Sequence, residues 1–293
     1  MNPKHIAVVG AGFMGSGIAQ LAATHGHTVT LVDTSEDAIT RALGHMDWSL
    51  RKLREKEVLI SSPDAALKRI TTGTRLELAA DADLVFESVP EIVELKREVF
   101  ADLDRICKPE ACLASNTSTI PIHFLAEATR RPDRVAGAHF FFPVPLNPLL
   151  ELIPAPQTSA ATLMLIRDVC EGFGKFIVHV KKDVPGFIMN RVFGAMTCEA
   201  IRLVEQGVCS VADVDKGLTT GYGMLQGPLA KADMAGLDVC LLAFTHIHEI
   251  DRCEALRPPE LLKKLVRDGH LGIKTGQGFY HYDDKGKPTG PAV

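Results

Sequence analysis

The run Ile6-Ala7-Val8-Val9-Gly10-Ala11-Gly12-Phe13-Met14-Gly15 decides the fold. Its apolar, β-prone start reads as a buried strand, and the pattern G-x-G-x-x-G follows directly behind it. Residues 16–24 then read as a helix, and Thr28-Val29-Thr30-Leu31-Val32 as a second strand that ends on Asp33. In such a unit the first glycine permits a tight turn and the second lets the backbone approach a pyrophosphate. The third lets helix and strand pack closely, and the helix N-terminus faces the phosphates. Asp33 stands 18 residues beyond Gly15, where a carboxylate accepts both hydroxyls of a ribose. Strand, turn, helix, strand and acid in register predict a dinucleotide site at Gly10, Gly12, Phe13, Met14, Gly15 and Asp33. Asp33 also favours NAD over NADP. A 2′-phosphate would meet its carboxylate at close range, and neither Thr34 nor Ser35 brings a compensating charge.

Short β-branched runs go on alternating with helical patterns to residue 180, with strands read at 69–72, 83–86, 112–115, 134–138, 149–153 and 176–180. This predicts an α/β fold: an N-terminal Rossmann-type, doubly wound, largely parallel sheet, with the direction of the last strands left open. From 39 to 53, apolar residues at 39, 43, 46, 50 and 53 predict a helix longer than a crossover needs, with Trp48 packing on it. Its far end carries Arg51, Lys52, Arg54 and Lys56. These read either as a solvated face or as an arm for a phosphate-bearing substrate tail. At Lys181-Lys182-Asp183-Val184-Pro185 the pattern changes. Pro185 suits the first position of a helix, 188–206 reads helical with Gly207 as its cap, and further helices follow at 211–220, 236–250 and 259–268. A turn-rich segment, 269–280, closes the pattern. The expected organisation is an NAD-binding domain over 1–183 and an all-α C-terminal domain over 184–293.

With 293 residues, 46% hydrophobic and 23% charged, the chain has ample material for a core. A net charge of −4 and a pI near 6.3 do not fit an electrostatic binder of nucleic acid or membrane. The seven cysteines form no C-x-x-C pair and are odd in number, which suits reduced thiols. Met1-Asn2-Pro3-Lys4-His5 leads at once into the first strand, and no apolar run reaches the ~20 residues that span a bilayer. A soluble, cytoplasmic protein is expected. No metal site is expected either, because His25 and His27 straddle a glycine, and His246 and His248 point to different faces of a helix. Both pairs read as solvated surface, and Cys198 as core.

In a doubly wound sheet the ligand pocket lies beyond the carboxyl ends of the strands. There the sequence places Ser118 and His139, with Glu151 in the next strand and Asn190 in the first turns of the first C-terminal helix. The four suit removal of a hydroxyl proton while a hydride leaves the same carbon. Histidine is the natural base, a carboxylate beside it holds the tautomer, and a hydroxyl and an amide can hold the substrate oxygen. Each residue also has a plainer reading: a satisfied core histidine, a strand-end charge, a turn and a cap.

The motifs add to this. Ser115-Asn116-Thr117-Ser118, Gly137-Ala138-His139-Phe140-Phe141 with Pro143-Val144-Pro145, and Asp183-Val184-Pro185-Gly186-Phe187-Ile188-Met189-Asn190-Arg191 lie at matching intervals. With Gly227-Pro228-Leu229, Gly236-Leu237-Asp238 and Leu271-Gly272-Ile273-Lys274-Thr275-Gly276-Gln277-Gly278-Phe279-Tyr280, the chain resembles the short-chain L-3-hydroxyacyl-CoA dehydrogenases over nearly its full length. The resemblance implies His139 as general base with Glu151 as partner, and Ser118 and Asn190 at the substrate oxygen. It places Glu91, Lys96, Asn116 and Ser118 at the cofactor, and Ser49 and Lys56 at the CoA moiety. It also implies a homodimer formed through the helical domain. One departure is Phe142, where the family has an asparagine that contacts the cofactor, and Asn147 is the nearby candidate to replace it. The expected activity is NAD-dependent oxidation of an L-3-hydroxyacyl-CoA, or its reverse, a step common to β-oxidation and butanoate metabolism. The alternatives are a dehydrogenase of a hydroxy acid without CoA, which the basic helix opposes, and a non-catalytic NAD-binding protein, which the intact quartet opposes.

Overall fold

The computed structural model describes residues 4–58 and 62–293. Met1, Asn2 and Pro3, part of the expected lead into the first strand, lie outside them. The chain divides into two compact units, Met1–Val184 and Pro185–Val293.

The first unit opens with β1 (His5–Val9), α1 (Phe13–Thr24), β2 (Thr28–Val32) and α2 (Glu36–Glu55). Next come α3 (Pro63–Leu67), β3 (Ile70–Gly73), β4 (Leu84–Glu87), α4 (Val93–Ile106), β5 (Cys112–Ser115) and α5 (Ile122–Ala126). It closes with β6 (Val135–Phe140), β7 (Leu149–Pro154), α6 (Ala160–Gly172) and β8 (Phe176–His179). The strands form one sheet in the order β3-β2-β1-β4-β5-β6-β7-β8. Pairing is parallel throughout except between β6 and β7, so the last two strands run opposite to the rest. Every residue of β4, β5 and β6 is buried, as a sheet covered on both faces requires. The strand order reverses between β1 and β4, and ligands bind beyond the strand ends at such a switch point.

Helix α2 starts on Ser35, whose hydroxyl accepts from the Ala38 N–H at 3.2 Å, with Glu36 and Asp37 in the first turn and Lys52 and Arg54 in the last. These charges match the helix dipole. Its buried stripe is Ile39, Ala42, Met46 and Leu50. Trp48, expected to pack, falls off this stripe and is 59% exposed. His27, expected on the surface, is buried instead and its Nδ1 accepts from the Lys4 N–H at 3.1 Å. Burial, followed by the neighbouring His25, lowers its pKa.

The second unit contains α7 (Met189–Glu205), α8 (Val211–Tyr222), α9 (Pro228–Ala235), α10 (Leu237–Asp251) and α11 (Glu260–Arg267), and ends in an antiparallel hairpin of β9 (Tyr280–Tyr282) and β10 (Pro288–Pro291). Its core gathers Cys198, Ile201, Leu237, Phe244, Ile247 and Phe279. Pro185 does not begin α7. Gly186 and Phe187 both take positive φ, 74° and 49°, so the backbone turns before the helix can start. Gly186 is required there, since a Cβ would come within 2.3 Å of the Ile247 side chain. Helix α9 and the hairpin were not read from the sequence. Asp215 caps α9, accepting from Leu229 N–H at 2.9 Å and Ala230 N–H at 2.8 Å. The buried Asp233 carboxylate accepts from the Phe279 and Tyr280 N–H groups and the Tyr282 hydroxyl, which ties the hairpin to α9.

Candidate active site

The turn after β1 is held from two sides. Gly10 N–H donates to the Val32 carbonyl at 2.7 Å, and Ala11 N–H to Asp33 Oδ2 at 2.7 Å. Asp33 Oδ1 accepts from Ser35 N–H at 2.9 Å, so the carboxylate predicted to meet a ribose also braces the loop. The three glycines differ in what requires them. Gly10 has φ +102°, and a Cβ there would lie 2.5 Å from the Ser88 carbonyl oxygen. A Cβ on Gly15 would lie 1.8 Å from the Gly10 carbonyl oxygen. Gly12 has ordinary angles and a Cβ on it would meet nothing within 4 Å, so the protein's own packing does not require it. A glycine at the N-terminus of α1 that packing does not demand fits a loop shaped for a closely approaching pyrophosphate. Phe13 is exposed and Met14 half-buried beside it.

Beyond β4 and β5 lies a polar cluster. The buried Lys96 ammonium donates to Glu87 Oε1 at 2.6 Å and to the Val89 carbonyl at 3.0 Å, with Glu91 Oε2 at 3.4 Å. Ser115 Oγ donates to Glu87 Oε2 at 2.6 Å. Glu91 Oε1 accepts from Thr117 Oγ1 and from the Ser118 and Thr119 N–H groups at 2.7, 2.8 and 2.9 Å. Burial alone would raise the Glu91 carboxyl, but Lys96 and these hydrogen bonds outweigh it and hold the carboxyl below its ordinary value. Glu91 therefore shapes the Thr117–Thr119 turn that presents Ser118. Asn116 Oδ1 accepts from the Phe140 N–H at 2.8 Å and links β5 to the end of β6.

His139 and Glu151 are directly opposite in the antiparallel β6–β7 pair. Both are buried, and Nδ1 lies 2.8 Å from Glu151 Oε2. A carboxylate only accepts, so Nδ1 is the donor in this contact. The first unit thus gathers the glycine turn, Asp33, Glu91, Lys96, Asn116, Ser118 and His139 along one sheet edge. Ser49 and Lys56 stand on α2 and at its C-terminal end. Ser49 Oγ accepts from Gln20 Nε2 at 3.1 Å, and Lys56 is exposed. Arg51 pairs with Asp47 and Asp64, and Lys52 with Glu55, so part of the basic end is spent on neighbours. Asn190 belongs to the second unit, in the first turn of α7.

Residues 5–184 match the family model described as 3-hydroxyacyl-CoA dehydrogenase, NAD binding domain, and residues 186–282 match its C-terminal domain. The chain belongs to the 3-hydroxyacyl-CoA dehydrogenase family. It is 42% identical over 275 residues to a probable 3-hydroxybutyryl-CoA dehydrogenase of Deinococcus radiodurans, covering 94% of this chain and 99% of that one. It is 41% identical to the mitochondrial hydroxyacyl-coenzyme A dehydrogenase of Sus scrofa, with 95% and 91% covered. The crystal structure of (S)-3-hydroxybutyryl-CoA dehydrogenase from Ralstonia eutropha superposes with a TM-score of 0.91 at 37% identity, over 97% of this chain and all of that one. The cofactor of this family's first domain is NAD.

An aromatic edge borders the dinucleotide turn. Phe142 is 63% exposed, and its ring meets Phe13 edge-on at 6.5 Å. Phe13 in turn meets His45 at 5.9 Å, and His45 meets Trp48 at 5.8 Å. Asn147, the candidate to replace the asparagine expected at 142, lies in the turn that follows. Its Nδ2 bonds the Phe142 carbonyl and its Oδ1 the Leu149 N–H, so the side chain is committed to its own turn. Two buried charged residues escaped the sequence reading. Glu87 and Lys175 are charged residues at the end and the start of apolar strand runs, Leu84-Val85-Phe86-Glu87 and Lys175-Phe176-Ile177-Val178, and that mismatch was the available signal.

Proposed function

We propose that the protein is an NAD-dependent dehydrogenase that oxidises the L-3-hydroxyl of a short-chain 3-hydroxyacyl-CoA, such as 3-hydroxybutanoyl-CoA, to the 3-oxo group, or runs the reverse reduction. The buried His139–Glu151 pair, 2.8 Å apart at the strand edge shared with the dinucleotide turn, carries this reading. Gly10, Gly12, Gly15 and Asp33 would hold NAD, with Phe13 and Met14 beside them, and NAD when bound supplies the two-electron chemistry by accepting hydride. His139 Nε2 takes the hydroxyl proton as the hydride leaves the same carbon. Glu151 holds the ring in the required tautomer and stabilises the imidazolium that forms. Ser118 and Asn190 hold the substrate oxygen as its charge develops, while Ser49 and Lys56 engage the CoA moiety.

The first unit acts as the NAD-binding domain and the second as the substrate and dimerisation domain. Exposed Val192, Val208, Tyr222, Leu225, Val239 and Leu242 on the second unit supply the apolar surface a homodimer would cover. No helix among the described residues is long and apolar enough to cross a membrane, and the reading places the enzyme in the cytoplasm.

The test is NADH oxidation, followed at its absorbance band, with acetoacetyl-CoA set against free acetoacetate. Fast turnover of the CoA ester alone is expected. Turnover of the free acid at a similar rate would overturn the CoA assignment, and silence with both would overturn the activity.

A further inference from the structure

The segment 141–148 joins β6 to β7 and so connects His139 to Glu151. It is fastened to the first unit at three points. Val144 is buried against α1, so closely that a Cβ on Gly17 would come within 2.8 Å of the Val144 Cβ. Phe142 meets Phe13, the residue that opens α1. The third point is Lys175, just before β8, whose ammonium donates to the Val144 carbonyl at 2.5 Å and the Asn147 carbonyl at 2.6 Å. This ammonium also lies over the Phe140 ring, 5.9 Å from its centroid.

A buried cation whose bonds go to two carbonyls, with no carboxylate beside it among the described residues, is costly to keep. Burial pushes the ammonium down to about 8. A methylene chain would pack there at lower cost, so the arrangement points to what the two bonds hold. They hold a stretch of chain that touches the dinucleotide helix and joins the ends of the strands bearing the acid–base pair.

We propose that Lys175 is a positioning residue, which staples the segment 141–148 against α1 and thereby sets the dinucleotide turn and the His139–Glu151 pair in mutual register. The kinetic part of this proposal rests on the dehydrogenase reading, and the binding part does not.

The experiment compares the parent with Lys175→Met, Lys175→Arg and Gly17→Ala. Gly17→Ala pushes the segment from the opposite side without touching the buried charge, and carries the test if Lys175→Met does not fold. Trp48, the sole tryptophan, reports NADH binding by energy transfer. Both disruptive variants should weaken NADH binding about 10-fold and lower kcat by about 10-fold or more, since small displacements of reacting groups are expensive in rate. Lys175→Arg, which keeps the donors, should recover most of the affinity. Limited proteolysis should cut within 141–148 faster in the disruptive variants. A lower melting temperature with parental NADH affinity, kcat and KM would assign Lys175 a purely structural role and overturn the proposal. A parent protein silent toward acyl-CoA would sink the dehydrogenase reading while leaving the NADH titration and the proteolysis to decide this one.

Discussion

The imidazole of His139 meets the Glu151 carboxylate because two side chains directly opposite in an antiparallel pair stand on the same face of the sheet. Replacing His139 by Gln should leave NADH binding intact and lower turnover by about 10²–10⁴-fold, the usual worth of a general base. Steady-state rates beside an NADH titration check it, and parental turnover would remove His139 from that role. Glu91 makes a second prediction. Its carboxyl titrates below the ordinary 4.5, so the folded protein favours the charged form. The resulting stability is present above about pH 4.5 and drains away as pH falls below that, through the depressed pKa. Glu91→Gln should flatten this acid limb in melting curves taken from pH 6 down to pH 3, and an unchanged limb would show that other carboxyls carry it. His139 was legible in the sequence as a histidine at a strand end, and Ser118 as a hydroxyl just past one. That Glu91 organises the Ser118 turn was not legible, because its bonds to Thr117, Ser118 and Thr119 span 26 to 28 residues.

Among the elements, the glycine turn separates residues the fold needs from one that packing does not require. Gly15→Ala drives a Cβ into a carbonyl oxygen of the backbone and should impair folding. Gly12→Ala meets no protein atom, and should keep the parental melting temperature while NADH affinity falls by a factor of about 10 or more. Thermal melts beside NADH titrations check the pair, and loss of fold in Gly12→Ala would overturn this division. The long helix α2 was plain from its apolar spacing, since burial along one stripe is a local property of sequence. Trp48 was misplaced because hydrophobicity alone does not say on which side of the stripe a residue falls. Position 48 sits between the buried turns at 46 and 50 and points outward. Helix α9 has eight residues, too few for periodicity to stand out, and the proline behind Gly227 was its only local mark.

For the whole molecule, the exposed apolar side chains of the second unit set an expectation of mass. Light scattering should return about twice 31.8 kDa, and Leu225→Asp with Leu242→Asp should shift the protein toward monomer. A monomeric parent would overturn the dimer. The sequence by itself determined the βαβ opening, the acid placed at the end of its second strand, the alternation of strands and helices, and the residue types suited to acid–base chemistry. These are written in short-range patterns, where spacing, turn residues and propensity act within a dozen positions. Tertiary structure alone decided the strand order, the reversal of β7 that sets Glu151 against His139, the bracing of the dinucleotide turn by Asp33, and the clasp of Lys175 on a segment 28 to 31 residues away. The reason is physical: which strand pairs with which, and in what direction, follows from how the whole sheet buries its faces, and no local run of residues contains that contest.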